Sequence, residues 1–161
     1  MKGLYGWLTV WLAACAAHAA AGEPAILIAS DGSAFKQAVV AKIVDWARET
    51  KHPTEVVDLK GLKAEKAAEY RAVVILDRVW AWRLSGSTRK FLKALSEEQK
   101  GRVIVVSTAN DTDWRLKEKG LHAITSASKT DKVNSVAAFV TGRLQEILKG
   151  EAPPEIGRAH V

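Results

Sequence analysis

The sequence predicts a doubly wound α/β fold, in which helices cover both faces of a parallel sheet. Short apolar runs without polar alternation are typical of parallel strands buried on both faces, and such runs occupy residues 25–30, 72–76 and 102–107. Helical periodicity follows the first two runs, as expected for strand–helix steps. Right-handed crossovers then place the ends of these strands at one edge of the sheet, where ligands of such folds bind.

The first strand and helix illustrate the pattern. Residues 25–30 (AILIAS) lead into a turn, and residues 34–49 predict a helix for which Ser33 is a suitable N-cap. The apolar positions of this helix recur every three to four residues, at Phe35, Val39, Ile43 and Trp46.

The later elements are expected to alternate in the same way. Further strands are predicted at 54–59, 72–76, 102–107 and 121–125, with a weak helical turn at 64–69. The remaining segments are a basic amphipathic helix at 87–98, a turn at 110–114, at most one helical turn at 116–119, and a last helix that begins at Asp131 or Asn134. The expected edge collects three loops, at residues 30–33, 77–87 and 107–113.

Composition excludes several classes of function. The 161-residue chain is 48% apolar and 26% charged, as expected for one globular domain, and its net charge is +6. Lysines and arginines are scattered and no nucleic-acid-binding motif is present, so no nucleic acid partner is expected. We interpret the charge as a solvated basic surface, with acidic partners or anionic lipid as alternatives. The histidines lack metal-ligand spacing and no hydrolase or NTPase motif occurs, so we expect no metal site.

Residues 1–21 are predicted to be a signal peptide. A short positive start precedes an apolar run too short to span a bilayer, and Ala17-His18-Ala19 suits signal peptidase. We therefore expect export to the periplasm or cell envelope. Cys15, the only cysteine, has a context that resembles a lipobox, so a lipid-anchored protein is the alternative, and membrane contact is expected only in that case.

The C-terminal segment is expected to lie outside the domain, which we place at residues 25–149. Residues 150–161 contain Pro153-Pro154 and no periodicity, which predicts a disordered tail. The last seven residues, EIGRAHV, match the translation of a common sequencing adapter. We hypothesise that residues 155–161 are such an artefact and that the natural chain continues beyond Pro154.

Several segments carry a family resemblance: ILIAS with VVAKIVDWARE, VVDLKGL, YRAVVIL and, above all, VWAWRLSGSTRKFL. With these segments the chain resembles the flavodoxin-like proteins, especially the compact group that includes a menaquinone-linked protoporphyrinogen dehydrogenase. The resemblance implies a five-stranded parallel sheet in the order 2-1-3-4-5 and FMN as the cofactor. It also implies that Trp80 holds the position of the aromatic residue that stacks on the flavin.

We place the candidate cofactor-binding residues in the three loops and expect no catalytic residue, although Asp77 and Trp82 depart from the family pattern in the second loop. The candidates are Ser30, Asp31, Gly32 and Ser33 in the first loop, Asp77, Trp80, Trp82 and Arg83 in the second, and Ser107, Thr108 and Asn110 in the third.

The phosphate-binding loop departs from the family pattern. The family's glycine falls on Phe35, and the following threonines fall on Lys36 and Gln37. Phe35 disfavours the open backbone that glycine permits, and its ring is expected in the phosphate space. Losing charge-assisted hydrogen bonds of about 1.5–3 kcal/mol each would weaken FMN binding by orders of magnitude. Lys36 supplies positive charge but not the backbone geometry.

Two features have competing interpretations. Trp80 and Trp82 share one side if the loop is extended, and they either clamp a planar ligand or partner or cap the end of the core. Asp77 and Asp31 loosely resemble the acidic residues of phosphoacceptor receiver domains, although strand 1 lacks a second carboxylate for Mg²⁺. We interpret Asp77 instead as a surface residue in a salt bridge with Arg78 or Arg83.

The sequence therefore predicts an exported flavodoxin-like domain that is a binding or accessory module with a degenerate FMN site. Its expected partner is an envelope protein or a small planar ligand. The alternative is an FMN-dependent electron-transfer or oxidoreductase protein of the envelope, with Trp80 on the flavin and the first loop on the phosphate.

Overall fold

The computed structural model describes residues 25–150. The predicted signal peptide, Cys15 and the tail from residue 151 onward lie outside the described residues. The strands are β1 (Ile26–Ser30), β2 (Thr54–Asp58), β3 (Ala72–Arg78), β4 (Val103–Thr108) and β5 (His122–Ser126). The helices are α1 (Ala34–Glu49), α2 (Gly86–Ala94), α3 (Glu97–Lys100) and α4 (Val133–Lys149).

All five strands are parallel, and their order is β2-β1-β3-β4-β5, which confirms the expected doubly wound sheet. The register places Ser30 opposite Leu76, Asp77 opposite Ser107, and Arg78 opposite Thr108. The carboxyl ends of β1, β3 and β4 therefore meet at one edge, called here the carboxyl edge.

Two cores lie on the two faces of the sheet because strand residues alternate in direction. Ile28, Leu76 and Val106 pack with α1 and α4 on one face. Ala29, Ile75 and Val105 pack with α2 and the 3₁₀ turns Leu59–Gly61 and Ala64–Glu69 on the other. The apolar runs of β1, β3 and β4 are buried on both sides, which explains why they lack polar alternation.

The helix predicted at residues 87–98 is two helices. Leu95 is extended and buried, and it ends α2. Ser96 then begins α3 with a capping box, in which its hydroxyl accepts from the backbone of Gln99 and the Gln99 side chain accepts from the backbone of Ser96.

One predicted helix cap is confirmed in position and the other is wrong. Ser33 occupies the N-cap position of α1 but makes no side-chain hydrogen bond to the helix. Neither Asp131 nor Asn134 caps α4, because the 3₁₀ turn Thr130–Lys132 leads directly into Val133.

Among residues 25–150, no helix is long and apolar enough to cross a membrane.

Candidate functional site

The carboxyl edge brings together the three loops that the sequence selects. Ser30–Ser33 follows β1, the segment Val79–Ser85 follows β3, and Ala109–Trp114 follows β4. Because β1, β3 and β4 are neighbours in the sheet, these loops lie side by side at the point where the strand order reverses.

The β1 loop is closed by its own side chains. The backbone N–H of Gly32 donates to Ser30 Oγ at 3.3 Å, and the N–H of Ser33 donates to Asp31 Oδ1 at 3.2 Å. Gly32 has a φ of 76°, a left-handed conformation that glycine adopts without strain. Two donors that would cradle an anion are therefore already in use.

An ion pair completes this loop. Lys36 Nζ lies 2.5 Å from Asp31 Oδ2, and the lysine side chain is 1% exposed while that of Asp31 is 29% exposed. Lys36 neutralises Asp31 and is not presented to solvent. The positive charge of Lys36, which was expected to be available to a phosphate, is thus paired with the Asp31 carboxylate.

Phe35 does not occupy a ligand space. Its ring packs in the core between α1, α4 and the sheet and is 9% exposed, so the expectation that it fills the phosphate space is wrong. The residues present do not fit the phosphate of FMN for a different reason. A dianionic phosphate at this loop would meet the Asp31 carboxylate and would have to displace it from Ser33 and Lys36.

The tryptophan loop is a tight hairpin. Trp80 and Arg83 exchange both backbone hydrogen bonds, at 2.9 and 3.0 Å, around the two central residues Ala81 and Trp82. Both central residues have positive φ, 47° and 62°, as in the type I′ turns that usually contain Asn-Gly. The segment is therefore not extended. Trp80 and Trp82 were expected on one side only for an extended segment, so that expectation has lost its basis.

Both rings of the hairpin are exposed. Trp80 is 75% exposed and Trp82 is 69% exposed, so the interpretation that they cap the core is wrong. The Arg78 guanidinium lies 5.7 Å from the centre of the Trp80 ring, within the range of a cation–π contact. Trp114 Nε1 donates to the carbonyl oxygen of Trp82 at 3.2 Å, which ties the hairpin to the loop after β4.

Asp77 holds the base of the hairpin. It is 2% exposed and accepts from the backbone N–H of Arg78 at 2.7 Å and of Ser85 at 2.8 Å. Its interpretation as a surface residue in a salt bridge is therefore wrong, because both carboxylate oxygens bind backbone donors. The Ser85 hydroxyl accepts from the N–H of Thr88 and so begins α2 directly behind the hairpin.

The third loop contributes less than expected. Ser107 and Thr108 are 1% and 2% exposed, inside the sheet, whereas Asn110 and Arg83 are exposed. The edge therefore presents the Trp80–Arg83 hairpin most prominently. Arg78 and Trp114, which contact it, were not selected from the sequence. The available signal was that the loops after two neighbouring strands both carry tryptophan.

A groove of about 600 Å³ adjoins the β1 loop and lies between α1 and β2. Its lining includes Ser30 and Gly32 together with Val40, Val44 and Val56, but neither Trp80 nor Trp82.

Among residues 25–150, no cluster of three His, Cys, Asp or Glu side chains could hold a metal ion.

The sheet order and the position of the loops define the class of doubly wound folds whose ligands bind at the switch point between β1 and β3. Within that class the chain has a flavodoxin-like fold. It superimposes on the flavodoxin of Megasphaera elsdenii with a TM-score of 0.58 and 14% identity, covering 74% of this chain and 98% of that one. For Flavodoxin 1 of Bacillus cereus the TM-score is 0.53 and the identity 16%, covering 74% and 96%.

A third structure is the flavodiiron protein of Giardia intestinalis, with a TM-score of 0.53, 13% identity, and coverage of 80% of this chain but 37% of that one. No protein-family model and no curated protein sequence matches the chain. At these identities the similarity shows the fold alone. The closer resemblance to the protoporphyrinogen dehydrogenase group stays a prediction.

Proposed function

We propose that this protein is a flavodoxin-like binding module with a degenerate FMN site, and that it is not an electron carrier. The observation that carries the proposal is the Asp31–Lys36 ion pair inside the β1 loop, where the cofactor phosphate of a flavodoxin-like site would have to bind.

The energetic argument rests on the donors of this loop. Charge-assisted hydrogen bonds to a phosphate contribute about 1.5–3 kcal/mol each, and every 1.4 kcal/mol changes the dissociation constant about tenfold. The Ser33 N–H and Lys36 Nζ are engaged by Asp31. FMN must therefore either forgo both donors or expel a carboxylate from beside a buried ammonium, and both outcomes weaken binding by orders of magnitude.

The exposed hairpin supports a binding role. Trp80 and Trp82 lie at the carboxyl edge, where they neither fill the core nor pair with one another. Both rings are therefore available to a partner. Asp77 and Trp114 hold the hairpin by its backbone, so its position does not depend on the exposed rings.

The test is whether the purified protein contains or binds FMN. We expect a colourless protein that leaves the fluorescence of added FMN unchanged at micromolar concentrations. A yellow protein, or saturable quenching of FMN fluorescence, would contradict the proposal.

The second candidate is an FMN-dependent electron-transfer or oxidoreductase protein. It is favoured by one observation: α1 begins without a side-chain cap, which leaves N–H groups of its first turn available to an anion on the same edge as Trp80. In that case an Asp31→Asn variant, which removes the competing charge, should bind FMN more tightly than the unchanged protein.

We further propose that the protein acts outside the cytoplasm. The support is the pattern of residues 1–21, a positive start, a short apolar run and an Ala-x-Ala site. Mass spectrometry of the mature protein should find an N-terminus near Ala20 or Gly22. A start at Cys15 with added lipid would establish the lipoprotein alternative, and an intact Met1 would contradict export.

A further inference from the structure

The hairpin begins a segment with an unusual charge distribution. Residues 78–93 contain no Asp or Glu, yet the segment contains five cationic side chains. All five are exposed: Arg78, Arg83, Arg89, Lys90 and Lys93. The segment also contains Trp80 and Trp82, two of the three large hydrophobic residues that are prominently exposed within residues 25–150. Exposed tryptophan and dense positive charge therefore coincide in one stretch of chain.

The geometry of the hairpin is convex. Small-molecule ligands are usually enclosed in a concave site that buries most of their surface. Trp80 and Trp82 instead stand on a two-residue turn, each about 70% exposed or more, and the groove between α1 and β2 does not include them. A surface that the hairpin enters fits this shape better than a ligand that enters the protein.

The hairpin is also preorganised. Both of its central residues hold left-handed backbone conformations, which cost energy in residues other than glycine. Strain of this kind persists only where the surrounding structure fixes it, here through Asp77 at the base and Trp114 at the side. The backbone that carries the tryptophans thus needs little further ordering when it meets a partner.

We propose that this hairpin and the basic segment behind it dock the protein on an anionic lipid surface. Tryptophan is enriched at the membrane–water interface, where its amphipathic ring is accommodated at the headgroups. Lysine and arginine near an anionic leaflet add electrostatic attraction that falls off within a Debye length. The inference rests on the proposed binding role, and it makes the contact independent of lipid attachment at Cys15.

The neighbouring loop modifies the local charge without reversing it. Asp111 and Asp113 are exposed in the turn that carries Trp114, and the Asp111 carboxylate accepts from the backbone of Asp113. Two cations follow on the same loop, Arg115 and Lys117. The surface around the hairpin therefore keeps its positive sign.

The experiment uses residues 22–161, which contain both cores and lack Cys15. Sedimentation with vesicles of phosphatidylcholine alone and with about 30% phosphatidylglycerol, in low salt, should show binding only to the anionic vesicles. Binding should weaken steeply with added salt. Tryptophan emission should shift to the blue on binding, and the shift should disappear in Trp80→Phe/Trp82→Phe.

Matched variants show whether vesicle binding depends on the hairpin or only on the overall positive charge of the protein. Trp80→Ala/Trp82→Ala should weaken the partition coefficient by about 10-fold or more. Arg78→Gln/Arg83→Gln should weaken it by about 25-fold, about fivefold for each charge. Lys42→Gln/Lys149→Gln removes the same charge from α1 and α4, on the face of the sheet opposite α2, and should change binding less than threefold. Val56→Ser, at the exposed edge strand, should leave binding unchanged.

Three results would overturn the inference. They are no binding to anionic vesicles, binding that Trp80→Ala/Trp82→Ala leaves intact, and equal losses for the arginine pair and the lysine pair. Absence of vesicle binding together with capture of a soluble acidic protein or planar anion would assign the hairpin to that partner instead. Since no FMN is present in these assays, their outcome is separate from that of the FMN titration. Circular dichroism of each variant checks that the fold is retained.

Discussion

Ala81 and Trp82 hold a backbone conformation that residues with a Cβ rarely adopt. Each holds a positive φ, at a cost of about 1–2 kcal/mol for a residue with a Cβ. Ala81→Gly removes this cost at one position. The greater freedom of glycine in the unfolded chain offsets part of the gain, by about 0.5–1 kcal/mol.

We therefore expect Ala81→Gly to raise the free energy of unfolding by about 0.5–1 kcal/mol, measured by urea denaturation. The control is Ala41→Gly in the exposed part of α1, which should lower it by about 1 kcal/mol. If both glycine variants are destabilised to the same extent, the hairpin does not hold the left-handed backbone described here.

The Asp31–Lys36 pair makes a second prediction at this scale. Removing one partner of a buried ion pair strands the other, which costs about 3–5 kcal/mol in full burial, and Asp31 is partly exposed. Asp31→Asn should therefore destabilise the protein by about 1–3 kcal/mol because Lys36 stays buried without its counter-ion. The double variant Asp31→Asn/Lys36→Met should recover most of the loss. A double variant as unstable as the sum of its single variants would show that the two side chains do not interact.

At the scale of elements, the first residue of β5 introduces a pH dependence. His122 is 7% exposed, and burial together with the nearby Arg143 guanidinium lowers its pKa, against the opposing effects of Glu146 and of a hydrogen bond with the backbone of Gly101. The unfolded chain then binds the proton more readily than the folded chain. Stability is fully present above the unfolded pKa of about 6.5 and is lost as the pH falls below it.

We expect the urea midpoint to fall between pH 7.5 and pH 5, and the fall to be smaller in His122→Leu. Equal pH dependence in the two proteins would show that another group is responsible. The difference between the urea midpoints of the two proteins at pH 7.5 measures the effect of the altered packing, because His122 carries little charge in the unfolded chain at that pH.

The elements themselves could largely be predicted from the sequence. Strands β1, β3 and β4 are continuous apolar runs because they are buried on both faces, and this pattern has few alternatives. The amphipathic pattern continues across the break between α2 and α3, so periodicity alone predicts one helix there. The signal was present, since Ser96-Glu97-Glu98-Gln99 is a capping-box sequence.

At the scale of the whole molecule, the edge that carries the site was predictable and its chemistry was not. Parallel topology alone brings the three loops together. What occupies the β1 loop depends on the side chain of Lys36. Because Lys36 precedes Val39 and Ile43 by three and seven residues, it shares their buried face on α1 and reaches Asp31 from inside. That spacing is visible in the sequence, but lysine is so rarely buried that spacing alone does not place Lys36 on the buried face.

The roles of Trp80 and Trp82 were also undetermined by sequence. Whether a tryptophan after a strand caps the core or faces solvent depends on the direction of the turn. Here a type I′-like turn, without the Asn-Gly that usually signals one, carries both rings outward.

The most direct test of the central claim is an amide NMR titration of residues 22–161 with FMN. The proposal predicts that the amide resonances of Gly32, Ser33 and Ala34 do not move at FMN concentrations up to about 100 μM, because Asp31 retains its hydrogen bond from Ser33 and its ion pair with Lys36. Saturable shifts at these three amides, together with shifts at Trp80, would contradict it and would establish a working flavin site.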